Sequence, residues 1–123
     1  MDDELIKQLE NLISYTKKNK IPWKFLNEQT FRWTKQETLK SNQLITTIQY
    51  AGKQQRATLN DLSELFDYYI LTIQSTNPSE LLLQITSNEK IYQEKLNDLF
   101  NAARNASKVT TANVLKNLLD NIY

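Results

Sequence analysis

The sequence predicts an α+β domain with an N-terminal helix, a small antiparallel sheet of about four to five strands, and two C-terminal helices. Three observations predict this fold class. Apolar residues recur at helical spacing near the amino terminus, they alternate with polar residues from Ile21 onwards, and helical spacing returns after Glu89. The 123 residues are predicted to form one domain, residues 1–123, because a chain of this length buries roughly two-thirds of its unfolded surface.

Residues 2–19 are predicted to form the first helix. Acidic residues begin it and Lys17 and Lys18 end it, which complements the helix dipole. Pro22 then stops the helix, since proline restricts the residue before it to extended geometry. The apolar stripe of this helix consists of Leu5, Ile6, Leu9, Leu12, Ile13 and Thr16.

A sheet is predicted after this helix. Residues 21–25 and 30–34 alternate aromatic or aliphatic residues with polar ones, which is the pattern of a half-buried strand. The β-branched run at 44–50 predicts another strand. A turn is predicted at Gly52 because glycine supplies backbone freedom, with residues 54–58 returning as a further short strand.

The middle of the chain carries signals for both helix and strand. Residues 61–65 and 77–80 each contain a helix-capping pattern. Residues 66–74 and 81–86, however, are rich in β-branched and aromatic types and would pair as a hairpin. We predict a short helical turn over 61–65 followed by the hairpin, because the sheet begun upstream needs more strands to be stable.

Two closing helices are predicted after Glu89, separated by the β-branched residues 109–111, with a single bent helix as the alternative. Neither helix can bury its apolar stripe alone, so we expect upstream elements to cover both stripes. The stripes are Tyr92, Leu96, Leu99, Phe100, Ala103 and Ala106 in the first helix, and Leu115, Leu118, Leu119 and Ile122 in the second.

A pattern of apolar positions runs through most of the chain: Leu12-Ile13-x-x-Thr16, Ile21-x-Trp23, Phe31, Tyr69-x-Leu71-x-Ile73, and Leu96-x-x-Leu99-Phe100-x-Ala102-Ala103-Arg104-x-x-Ala106-x-x-Val109. In this pattern the chain resembles a recurring type of small, uncharacterised bacterial α+β protein. In that type an opening helix precedes antiparallel strands and a closing pair of helices. The resemblance implies a fold and no activity.

The composition limits the chemistry of the chain. Cysteine and histidine are both absent, which excludes disulfides, Cys/His zinc sites and mechanisms that need a thiol or an imidazole base. Carboxylates remain as ligands for hard cations. Two pairs at helical spacing, Asp61 with Glu64 and Glu94 with Asp98, are most simply a helix cap and a solvated face.

Aromatic and basic residues interleave between Lys17 and Trp33. Single-strand binders use such strands to stack bases and hold phosphates, so nucleic-acid or nucleotide binding is the alternative function. Strict alternation favours another interpretation, in which the aromatic residues face the core and Lys24 and Arg32 face solvent. The net charge of +1 also favours core packing over nonspecific nucleic-acid binding.

These observations favour a non-enzymatic cytoplasmic binding protein that acts as a protein–protein interaction or regulatory module. We expect a protein partner or a homo-oligomer, and no cofactor, metal or membrane; a bacterial or phage defence-related setting is compatible with this. The predicted hairpin supports an interaction surface because it is apolar on both faces. Arg104 supports one because it lies among alanines that permit close helix approach. The candidate partner-binding residues are Trp23, Lys24, Arg32, Trp33, Tyr68, Ile70 and Arg104.

Overall fold

The computed structural model describes residues 3–37, 41–57 and 63–122. The described residues form two helices and one antiparallel sheet of five strands in the order β1-β2-β3-β4-β5, which confirms the predicted α+β class. In chain order the elements are α1 (Asp3–Lys17), β1 (Lys24–Asn27), β2 (Thr30–Gln36), β3 (Gln43–Ala57), β4 (Ser63–Thr76), β5 (Ser79–Thr86) and α2 (Lys90–Asp120).

Helix α1 agrees with the predicted N-terminal helix and packs against α2. Its buried residues are Leu9, Ile13 and Thr16. The helix ends where Asn19 takes a left-handed conformation with φ of 57°, which asparagine tolerates better than most residues. The Trp23 indole N–H then donates a hydrogen bond of 3.0 Å to the Thr16 hydroxyl, which ties the segment leaving α1 to the helix.

The core lies between one face of the sheet and the two helices. Phe31, Ile48, Leu71 and Ile85 are consecutive partners across β2, β3, β4 and β5, and all four are buried. They share one face because partners in an antiparallel sheet point to the same side. Helix α2 covers this face with Tyr92, Leu96, Leu99, Phe100, Ala103 and Ala106.

The predicted turn at Gly52 and the predicted helical turn over residues 61–65 are both wrong. Gly52, with φ of +86°, does not form a turn; it lies at an irregularity in the β3–β4 pairing between Tyr50 and Lys53. Residues 54–57 therefore continue β3 instead of returning as a new strand. Glycine's positive φ serves a bulge as well as a turn, so the residue type alone does not distinguish them. In the predicted helical turn over 61–65, residues 63–65 belong to β4 and residues 61–62 lie outside the described residues.

The prediction of two C-terminal helices is also wrong, because α2 is a single helix of 31 residues. The β-branched residues 109–111 do not interrupt it. Each such residue costs only about 0.5 kcal/mol of helix propensity, which is too little to end a helix. The Thr110 hydroxyl donates to the Ala106 carbonyl oxygen at 3.2 Å, a contact compatible with continued helix.

Helix α2 is longer than the sheet is wide. Its 31 residues span about 46 Å, whereas five strands span about 19 Å. It crosses the sheet from β4, where Asn97 accepts a hydrogen bond from Tyr69, to β2, where the ring of Phe100 packs against that of Phe31. Every residue from 111 to 122 is exposed. The expectation that upstream elements cover the second apolar stripe is therefore wrong.

Leu99→Ala should destabilise the protein by about 2–5 kcal/mol, because it leaves a cavity where α2 meets the sheet. Leu99 is 0% exposed, whereas Leu82 on β5 is 50% exposed. The matched change Leu82→Ala should therefore alter stability by no more than about 0.5 kcal/mol. Urea unfolding followed by circular dichroism measures both values, and equal losses would contradict the assigned core.

Candidate functional site

The aromatic and basic residues between Lys17 and Trp33 do not form one surface. Trp23 is completely buried, and the ring of Trp33 packs beside it with a centroid separation of 6.4 Å. Lys24 and Arg32 are cross-strand partners and are exposed. They occupy the opposite face of the sheet because Arg32 lies between two residues that face the core. Trp23, Phe31 and Trp33 therefore face the core, and the indole of Trp23 is not available for stacking on bases.

The sheet face opposite the helices carries Tyr68 and Ile70. Both are partly exposed, while the neighbouring Tyr69 and Leu71 are buried on the other side of β4. The cross-strand partners of Ile70 are Gln49 and Thr86, which are polar. Ile70 therefore has polar partners on both neighbouring strands, while Tyr68 on the same strand packs its ring against that of Phe66.

An open groove of about 710 Å³ lies where α2 passes the β1–β2 hairpin. Phe31 forms its buried part, and Phe25 lines it while remaining 55% exposed. The two rings meet edge to face with centroids 6.0 Å apart. Arg104 and Lys108 of α2 line the groove, and the Arg104 guanidinium carbon lies 5.0 Å from the centroid of the Phe100 ring. The groove is thus apolar at its base, with two cations on its helix side and the Glu28 carboxylate on its hairpin side.

The outer face of α2 continues from this groove to the end of the helix. Its positions follow steps of four and three residues, the spacing of a coiled-coil core. We call these six positions the α2 seam. They are rotated by roughly 100° around the helix from the buried stripe. The α2 seam consists of Arg104, Lys108, Thr111, Leu115, Leu118 and Ile122, of which Ile122 lies two residues past the last residue of α2.

The second half of the α2 seam is apolar and exposed. Leu115, Leu118 and Ile122, with the flanking Val114 and Leu119, are between 52% and 64% exposed. The charged residues of this part of the helix, Lys116 and Asp120, lie on its other side. The helix therefore presents five large apolar side chains to solvent within nine residues.

Of the sequence-predicted site residues, only Arg104 lines this groove. Phe25 was missed as a site residue, because the alternation over residues 21–25 assigned it to a buried strand face, whereas Lys108 was placed with Arg104 on the exposed side of the predicted helix. The spacing of Arg104, Lys108 and Thr111 was the available signal. It continues without interruption into Leu115, and a division of α2 at residues 109–111 conceals it.

Polar clusters elsewhere have structural partners. The Arg56 guanidinium donates to Glu64 at 3.0 Å and to Gln93 at 3.1 Å, and it also bonds the Ser87 carbonyl oxygen. Glu64 therefore pairs with an arginine, while Asp61 lies outside the described residues. Across the described part of the chain, no group of three or more acidic residues is arranged to hold a metal ion.

Tyr50, Lys53 and Asp67 form a hydrogen-bonded group beside the β3 irregularity. The Lys53 ammonium and the Tyr50 hydroxyl donate to the same Asp67 oxygen at 2.8 and 2.9 Å. The Lys53 bond, followed by the Tyr50 bond, lowers the pKa of Asp67 below its ordinary value. The same contacts with Asp67 raise the pKa of Tyr50 and of Lys53.

No protein-family model, no curated protein and no solved structure matches this chain. Within the described ranges, neither helix combines the length and the hydropathy that crossing a bilayer requires.

Asp67→Asn should reduce the dependence of stability on acidic pH. A carboxyl with a lowered folded-state pKa stabilises the protein above its unfolded pKa of about 4, and this contribution disappears as the pH falls through the folded value. The wild type should therefore lose melting temperature more steeply than Asp67→Asn between about pH 5 and pH 2. Thermal unfolding at a series of pH values measures this. Parallel curves would contradict the assigned role of Asp67.

Proposed function

We propose that this protein is a non-enzymatic protein-interaction module that binds its partner through the α2 seam and the adjoining groove. The observation that carries the proposal is the row of exposed apolar side chains at residues 114–122. Contiguous apolar surfaces are uncommon on soluble monomers and commonly mark interaction sites. The absence of cysteine suits a reducing compartment, which supports a cytoplasmic location as part of this proposal.

The energetics support binding through this surface. Burying an exposed leucine or isoleucine contributes about 2 kcal/mol at 25 cal/mol per Å². Five such side chains together exceed the lower range of the association cost, which is about 4–15 kcal/mol. Binding in the micromolar range is therefore expected from the apolar contacts of residues 114–122, with the groove adding to it.

The arrangement also fits a known mode of recognition. A helix with anchors at i and i+3, here Leu115 and Leu118, presents its apolar face to a complementary groove or helix, and Ile122 extends this apolar row past the helix end. Arg104 and Lys108 at the groove add positive charge beside this apolar surface. Such charges orient the partner and increase the association rate more than they increase affinity.

The double variant Leu115→Ser/Leu118→Ser should lose binding to the physiological partner by at least about tenfold, because two anchors of about 2 kcal/mol each are removed. The matched control is Lys116→Ser/Asn117→Ser, which places the same two serines on the other side of the same helical turn. Proteins captured on the tagged wild type are identified, purified and titrated against all three chains by calorimetry.

The control variant should retain the affinity of the wild type. Circular dichroism checks that both variants keep the helix. A purified partner that binds the Leu115→Ser/Leu118→Ser variant as tightly as the wild type would contradict the assignment of the α2 seam as the binding surface.

A further inference from the structure

We propose that the partner of the α2 seam is a second copy of this chain, paired antiparallel so that Leu115 of each copy packs against Leu118 of the other. This inference rests on the proposed function, since it names the occupant of the same surface. Four properties of α2 lead to it: the spacing of the seam, the neutral edges of the seam, the position of its cations, and the area that pairing would bury.

The spacing makes the seam complementary to itself. In antiparallel helix pairs, the two alternating core positions of one helix face the opposite kind of position on the other. A twofold axis that passes midway between Leu115 and Leu118 places each seam position from Thr111 to Ile122 opposite a position of the other kind. Leu115 then faces Leu118 of the second copy, and Thr111 faces Ile122. Each apolar residue of the seam thereby obtains a partner without any change in the body of the protein.

The edges of the seam favour an identical partner. The flanking positions over residues 111–122 are Ala112, Val114, Leu119 and Asn121, and none carries a charge. Charges at these positions normally select a different partner or exclude a second copy. Two copies of this helix bring neutral edges together, so no like charges meet along residues 111–122.

The cations of the groove specify the antiparallel direction. A parallel pair would place Arg104 and Lys108 in line with the same residues of the second copy, where like charges repel. The antiparallel pair instead separates these cations from their counterparts, because Lys108 and Arg104 of each copy then lie past the carboxyl-terminal end of the other α2. Avoidance of this repulsion favours the antiparallel direction.

The area is sufficient for a dimer. The five exposed apolar side chains of residues 114–122 offer on the order of 100 Å² each, and so roughly 1,000 Å² for two copies, which is the lower bound for a specific interface. The exposed Phe25 beside the groove adds apolar area at each end of the pair. An interface at this lower bound is typical of weak, reversible association, so the dimer is expected to dissociate on dilution.

Cysteine cross-linking tests the register directly, because the chain contains no native cysteine. Leu115→Cys and Leu118→Cys, prepared separately with different tags, are mixed in a glutathione redox buffer. The mixed disulfide should form at least about fivefold more than either single variant forms with itself. Facing positions come within the roughly 4.4–6.8 Å between Cα atoms that a disulfide spans, whereas identical positions do not. Thr111→Cys with Ile122→Cys should behave in the same way.

Lys116→Cys is the control, since it lies on the other side of the helix and should form little disulfide with any of the four variants. Sedimentation of the cysteine-free chain at about 10–500 μM should show a mass rising towards twice 14.5 kDa. Leu115→Ser/Leu118→Ser should remain a monomer over that range.

Two results would overturn the inference. Preferential Leu118→Cys self-linkage would indicate a parallel pair, and a monomer at all concentrations would exclude a second copy as the partner. A monomer at all concentrations would not by itself contradict the proposed function. A different purified partner that binds the wild type and not Leu115→Ser/Leu118→Ser would support the interaction module while excluding the dimer. If neither a second copy nor any purified partner depends on the two leucines, both proposals fail.

Discussion

The structure depends on the packing of one helix across one sheet. Helix α2 contacts all five strands and α1, and its completely buried residues Leu96, Leu99 and Ala103 occupy the middle of that contact. A leucine in such a position contributes several kcal/mol, which is a large part of the stability of a domain of this size. Helix α1 packs on α2, which fixes its position. The hydrogen bond between Trp23 and Thr16 also ties α1 to the segment that leads into β1.

The same packing produces the candidate site. The sheet supports α2 only as far as β1, so the last turns of the helix extend past the edge of the domain. At that point the apolar positions move from the face that contains Ala103 and Ala106 to the face that contains Leu115 and Leu118. The proposed binding role of the last turns of α2 depends on this change of face.

Polar contacts secure the part of the sheet beyond the bulge at Gly52. Arg56 connects β3 to β4 through Glu64 and to the start of α2 through Gln93, and its guanidinium carbon lies 3.9 Å from the centroid of the Phe66 ring. These groups lie beside the first turn of α2, whereas the groove lies beside its middle, and each has a structural partner. The electrostatic features of the strands therefore stabilise the fold, while the exposed side chains near the end of the chain are mainly apolar.

The sequence alone determined the class of the fold and the first helix, because hydrophobic periods of 3.6 and 2 are local properties of the chain. The hairpin of β4 and β5 was predicted only because the upstream sheet needs more strands, since its local signals support helix and strand alike. Arg104, a candidate from the sequence, lines the groove. Only the tertiary structure decided that Gly52 forms a bulge, that α2 is one helix, and that Leu115 and Leu118 are exposed. These outcomes depend on strand pairing and on the width of the sheet under the helix. Both are relations between distant segments, and no local pattern of residues expresses them.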